Sequence, residues 1–170
     1  PGGVADYTAQ LAERLAEFRP VVVVSPECTK RPAALAGIRF VSLPDCFGFR
    51  GLLALERHLA RTVGSHRFLL QYTPHAFGMK ALNLPLCFWL AWRRWGCGDD
   101  VRVMFHEVAF PFVHRPWKHN LIAVGNRLMA FVLMQACTRA YVAIPAWAEM
   151  LRKLGGSRVP IAWLPVPANV

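Results

Sequence analysis

The chain has no C-x-x-C pair, no G-x-G-x-x-G run, no internal repeat and no low-complexity linker. It also lacks any charge-free stretch of the length, about 18 residues, that a membrane span needs. Each absence removes a class of protein. The cysteines at 28, 46, 87, 97 and 137 are odd in number and scattered. That argues against a disulfide framework or a zinc site and leaves reduced thiols as the simpler reading. Without G-x-G-x-x-G the opening does not match a dinucleotide fingerprint. Val24 is followed by Ser25-Pro26, so no acidic residue ends that strand to hold a ribose. The longest apolar stretch, from Leu121 to Ile144, is broken by Asn126, Arg127, Gln135 and Arg139. It suits a mostly buried helix followed by a strand. No signal peptide is legible at the start.

Acidic residues are scarce. Ten Asp and Glu stand against 20 Lys and Arg, a formal net charge of +10 in 170 residues. Such a balance favours an acidic partner: anionic lipid, nucleotide phosphate or nucleic acid. It is also what a basic protein with solvated arginines shows. Hydrophobic residues make up 55% of the chain and charged residues 18%, which is too apolar for disorder. The length suits one domain with a sizeable core.

Strand and helix patterns alternate along the chain. Leu11, Leu15 and Phe18 have helical spacing, and Pro20 ends that helix. Val21-Val22-Val23-Val24 reads as a strand buried on both faces of a parallel sheet. Further strands are expected at 38–43, 68–72, 101–105, 141–144 and 161–164. Helices are expected at 50–63, from Asn83 to about Trp95, over 118–137, and from Pro145 to Gly155-Gly156. Asn83 is a natural cap, with Pro85 in the first turn. The alternation predicts a Rossmann-like α/β fold: one parallel sheet with helices on both faces. Ligands in such sheets sit at the C-terminal strand ends.

Three polar segments fall at such ends. The first is the opening Gly2-Gly3, a side-chain-free turn with Asp6 or Thr8 as the cap of the helix that follows. A turn of that kind fits close approach of a phosphate to a helix N-terminus, and equally fits a plain connection. A Gly-Gly turn should follow a strand, so the expected fold lacks its first strand here. The second is Tyr72 with the loop through His75. The third is His106-Glu107 after the strand at 101–105. His106 fits either a cleft residue or a histidine satisfied by backbone. Glu107 fits orienting His106 or capping the next segment. His106, Glu107 and His114 match no zinc spacing.

The pieces Gly2-Gly3-Val4-Ala5-Asp6-Tyr7-Thr8, Gln71-Tyr72-Thr73-Pro74, Phe105-His106-Glu107 and Leu164-Pro165-Val166-Pro167-Ala168-Asn169 occur in an order that resembles the N-terminal domain of a GT-B glycosyltransferase of family 4. The resemblance spans nearly the whole chain. It implies a retaining enzyme that takes a nucleotide-diphosphate sugar and needs no bound metal or other cofactor. It implies two Rossmann-like domains facing a cleft, this chain being the acceptor-side half, inactive alone. Gly2 and Gly3 would then lie against the donor diphosphate or the acceptor, with Tyr7 carried in the same motif. His106 would sit under the transferred sugar. Tyr72 and His75, on their strand-end loop, fit acceptor contacts and equally a packed tyrosine and a surface histidine, and Glu107 is counted with them as a substrate-binding candidate. Position 5, often glycine in this motif, is Ala5 here.

The segment Leu86 to Trp95 mixes tryptophan with Arg93 and Arg94. With Arg115, Trp117, Lys118 and His119 it fits a patch that docks on anionic lipid, and equally a core helix whose arginines complement its dipole. The expected partners are a nucleotide sugar, a glycan or lipid-linked acceptor and a peripheral membrane surface. No nucleic-acid motif is present. The implied location is cytoplasmic, at the inner membrane face. Another nucleotide-binding α/β enzyme and a non-enzymatic basic binding module remain as alternatives.

Overall fold

A computed structural model describes residues 3–27, 36–114, 117–155 and 158–166. In chain order the elements are α1 (Gly3–Ala16), β1 (Val21–Pro26), β2 (Ile38–Leu43), α2 (Phe49–Leu59), β3 (Arg67–Tyr72), α3 (Leu84–Gly96), β4 (Asp100–Phe105), α4 (Lys118–Ala136), β5 (Arg139–Val142), α5 (Pro145–Lys153) and β6 (Ile161–Trp163). All the strand pairs are parallel. The fold is Rossmann-like α/β, as the alternation predicts.

The expected single sheet is divided. β1 pairs with β2, and β3-β4-β5-β6 form a separate four-stranded ladder. A ladder two strands wide has no interior strand. The valines of β1 are therefore not buried on both faces as expected, and Val22 is 47% exposed. One apolar cluster nonetheless joins the two ladders, running from Leu43 and Phe47 through Phe77 to Val103, Phe105 and Leu133.

The two faces of the larger sheet follow from strand parity. Val101, Val103 and Phe105 on β4 are fully buried. They share a face with Phe68, whose ring meets Trp89 of α3 edge-on, the centroids lying 5.5 Å apart. Right-handed crossovers place α3, α4 and α5 together on this side. The other parity brings up Gln71, Met104 and then His106. Tyr7 of α1 meets the His106 ring with centroids 5.3 Å apart, so α1 lies on the opposite face.

Asn83 caps α3 as expected: its Oδ1 accepts from the Leu86 amide at 3.0 Å. Its Nδ2 does more, donating to Phe77 O at 2.7 Å and Phe47 O at 3.1 Å. The Phe47 carbonyl belongs to a left-handed turn that follows β2, and Phe77 stands two residues ahead of a second one that follows β3. Asp45, Cys46 and Phe47 hold φ of 53°, 47° and 65°, and Met79, Lys80 and Ala81 hold 51°, 54° and 65°. Such angles are costly for residues with a Cβ. A Cβ on Gly78, whose φ is 71°, would stand 2.9 Å from the Cys46 Cβ, so the turns touch where only glycine fits.

A second polar cluster ties α2, α3 and the start of β3. Arg93 Nε donates to Asp99 Oδ2 at 2.6 Å, its Nη1 reaches Glu56 at 3.3 Å, and Trp89 Nε1 donates to Glu56 Oε1 at 2.6 Å. Arg93 is thus a buried structural residue, not part of a surface patch.

Asn83→Ala is expected to lower unfolding free energy by about 3 kcal/mol, because it leaves buried carbonyls and the first turn of α3 without partners. Urea denaturation followed by circular dichroism measures it.

Candidate functional site

The carboxyl ends of β3 and β4 and the first turns of α1 form one rim. β4 ends at Phe105, and the His106 amide still donates to Tyr72 O, at 3.0 Å, as the chain leaves the sheet. The His106 ring then sits half-buried between Gln71 and Tyr7. Its Nε2 is 2.8 Å from Gln71 Oε1. With a carboxamide oxygen facing it, Nε2 carries the ring proton and Nδ1 is left as an acceptor. Trp147, near the start of α5, donates from Nε1 to the His106 carbonyl at 3.2 Å and fixes the backbone beneath the ring. Burial holds the His106 pKa below its ordinary 6.5, so the neutral ring is favoured.

The other predicted residues divide. Tyr7 is beside His106. His75 Nδ1 lies 3.7 Å from Glu107 Oε2, and the His75 ring stacks over Phe110. Glu107 therefore faces His75. Orientation of His106 falls to Gln71, which stands in the sequence only as part of the Gln71-Tyr72-Thr73-Pro74 motif. A polar side chain in the apolar run Phe68-Leu69-Leu70-Gln71-Tyr72 was the available signal. Trp147 had none, since it lies 41 positions away.

Tyr72 is corrected as an acceptor contact. It is 1% exposed, packed against Phe77 and Phe105 on the helix-covered face. Its hydroxyl and that of Thr73 have no hydrogen-bond partner among the described residues. Burial raises the phenol pKa far above its usual value. Gly2 lies outside the described residues. Gly3 is the first residue of α1, and a Cβ there would meet nothing within 4 Å, so its surroundings are open. The helix begins before Asp6 and Thr8, which do not cap it: Thr8 Oγ1 donates to Val4 O inside the helix. Ala5 is helical and carries no positive φ.

Among the described residues no three His, Cys, Asp or Glu side chains gather as metal ligands. The described cysteines 46, 87, 97 and 137 are free thiols, and burial pushes Cys87 and Cys137 up to about 12. A cavity of about 280 Å³ lies between β2 and α2, lined by Val41, Leu43, Arg57, His58 and Arg61, and includes no rim residue. Comparisons with protein-family models, curated proteins and solved structures found no match.

Stability is expected to fall as pH drops below 6.5. The unfolded chain then takes up a proton that the folded His106 refuses, so the unfolded state gains. Above that pH both states are neutral at this site and the contribution is flat. Denaturation at about pH 7.5 and about pH 5.5 is expected to show a smaller acid loss in His106→Gln than in the wild type. Tyr72→Phe is expected to keep unfolding free energy within about 1 kcal/mol, since it removes an unpartnered buried hydroxyl. A urea midpoint comparison checks this.

Proposed function

We propose that this domain is the acceptor-side half of a retaining glycosyltransferase. The intact enzyme moves a sugar from a nucleotide-diphosphate donor to a hydroxyl of a glycan or a lipid-linked saccharide. The observation that carries this reading is His106. It stands at the carboxyl end of β4, held neutral, anchored through Nε2 to Gln71 and flanked by Tyr7.

A ring so held presents a fixed Nδ1 lone pair to the rim. It accepts a hydrogen bond from a sugar hydroxyl and sets that hydroxyl's orientation for transfer. A protonated imidazolium would present a donor there instead, so the lowered pKa keeps the acceptor role available at neutral pH. Tyr7 closes one side of the ring. His75 and Glu107 offer hydroxyl-binding groups next along the rim. The Rossmann-like fold and the order of the four motifs support the same reading.

The test uses the polypeptide that carries this domain with a donor-holding domain. It is incubated with a panel of nucleotide sugars and with glycan or lipid-linked acceptors. Release of nucleoside diphosphate is expected with one donor. His106→Ala is expected to lower kcat by about 100-fold with the thermal midpoint retained. No release with any donor from a folded protein overturns sugar transfer. Release undiminished in His106→Ala overturns the role given to that residue.

A further inference from the structure

The outer faces of α3 and α4 are apolar, aromatic and free of acidic residues. α3 buries Leu86, Cys87, Leu90 and Arg93 toward the sheet and turns Phe88, Trp92 and Trp95 outward. The outward three are spaced i, i+4, i+7, one stripe of a helix. α4 repeats the arrangement over a longer span. It buries Ala123, Met129, Ala130 and Leu133 and turns Leu121, Val124, Leu128 and Phe131 outward. Because α3 and α4 pack side by side on the same face of the sheet, both stripes look away from it. Trp95 is 71% exposed, Trp117 before α4 is 64% and Leu121 is 58%. Folded domains rarely leave so many large apolar side chains in water along one surface without a use for them.

The charge on this surface has one sign. No acid occurs between Glu56 and Asp99, a stretch that contains α3, and none between Glu107 and Glu149, which contains α4. The cations lie next to the aromatic rings. Arg94 stands over the Trp95 ring at 5.1 Å, Arg127 over the Phe112 ring at 4.0 Å, and Lys118 follows exposed Trp117. Aromatic side chains beside cations, with aliphatic residues between them, match the polar-apolar boundary of a bilayer.

We propose that the outer face of α3 and α4 docks on an anionic lipid surface, with Phe88, Trp92, Trp95 and the α4 stripe entering the headgroup boundary. Charge decides among the occupants. A second copy would bring an identical acid-free, basic face against this one, and like charges oppose that contact. A nucleic acid would meet the cations but gain nothing from Leu121, Val124 and Leu128. An anionic bilayer satisfies both features: it attracts Lys and Arg near its surface, and buried apolar area adds to that. No helix among the described residues is long and apolar enough to cross a membrane, so the contact is peripheral. This inference stands independently of sugar transfer.

The test is sedimentation of the purified chain with vesicles of phosphatidylcholine alone or with phosphatidylglycerol. Pelleting with the anionic vesicles is expected to exceed that with neutral ones at least tenfold, with a blue shift of tryptophan fluorescence. Trp92→Ala with Trp95→Ala, and separately Leu121→Ser with Phe131→Ser, are expected to weaken it at least tenfold. Both pairs are exposed, and an unchanged thermal midpoint shows that each variant is folded. No pelleting with anionic vesicles overturns the proposal. So does pelleting unchanged in both variants, or a vesicle-free dimer that both variants dissolve, or tighter binding to a duplex oligonucleotide than to anionic vesicles.

Discussion

The Asn83 carboxamide holds together what the rest of the molecule depends on. Two successive left-handed turns, Asp45–Phe47 and Met79–Ala81, are unfavourable on their own. They persist because their carbonyls are claimed by buried amides. Asn83 binds the chain at Phe47 and Phe77 while capping α3, and Asn126 Nδ2 donates to Ala81 O at 2.6 Å from α4. The side chain of Asp45 meanwhile accepts from the amides of Arg50 and Gly51 at the start of α2. These contacts join the small ladder to the large one at the carboxyl ends of β2 and β3. That is the end at which the rim around His106 is built. Strain at this end is therefore matched by a dense set of directional bonds, which fixes the loops in one shape.

The acidic residues follow a related logic. Asp99 and Glu56 hold Arg93 inside the domain, Asp100 holds Arg67 and Arg102 at the foot of the sheet, and Glu107 faces His75. Much of a small supply of carboxylates is thereby engaged in fixing α2, α3 and β4 to one another. The outer faces of α3 and α4 are left with cations, aromatics and aliphatic side chains and no acid. The basicity of the chain is thus not spread evenly, and its one-sided part coincides with its exposed apolar part.

The periodicities carried most of the fold. β2 matches 38–43, α4 falls within a residue of 118–137, and the Asn83 cap was legible because capping is a local interaction. The separation into two ladders was not legible, since four consecutive valines look the same at the centre of a sheet and in a narrow ribbon. The left-handed turns were hidden too, because Asp45, Cys46, Met79 and Lys80 carry no local preference that demands positive φ. At the rim, His106 and Tyr7 stand at positions that their motifs mark in the sequence. Gln71 and Trp147 act through contacts 35 and 41 residues apart, and no short-range pattern records those. Tyr72 was misplaced for a simple reason: the residue next to an exposed one on a strand points the other way, and Gln71 rather than Tyr72 has the parity of His106.

The rim and the starts of the crossover helices lie at one end of the sheet. In a parallel sheet each crossover helix starts where its strand finishes and runs back along the sheet. α3 therefore begins just beyond the β3 loop that holds His75, and α4 begins just beyond the segment that follows His106 and Glu107. Trp117 and Leu121, at the start of α4, stand at the carboxyl level of the sheet, with the rest of the apolar stripe descending from them. The crossover connections, fixed by the handedness of the fold, thus bring the starts of α3 and α4 and the His106 rim to the same carboxyl end of the strands.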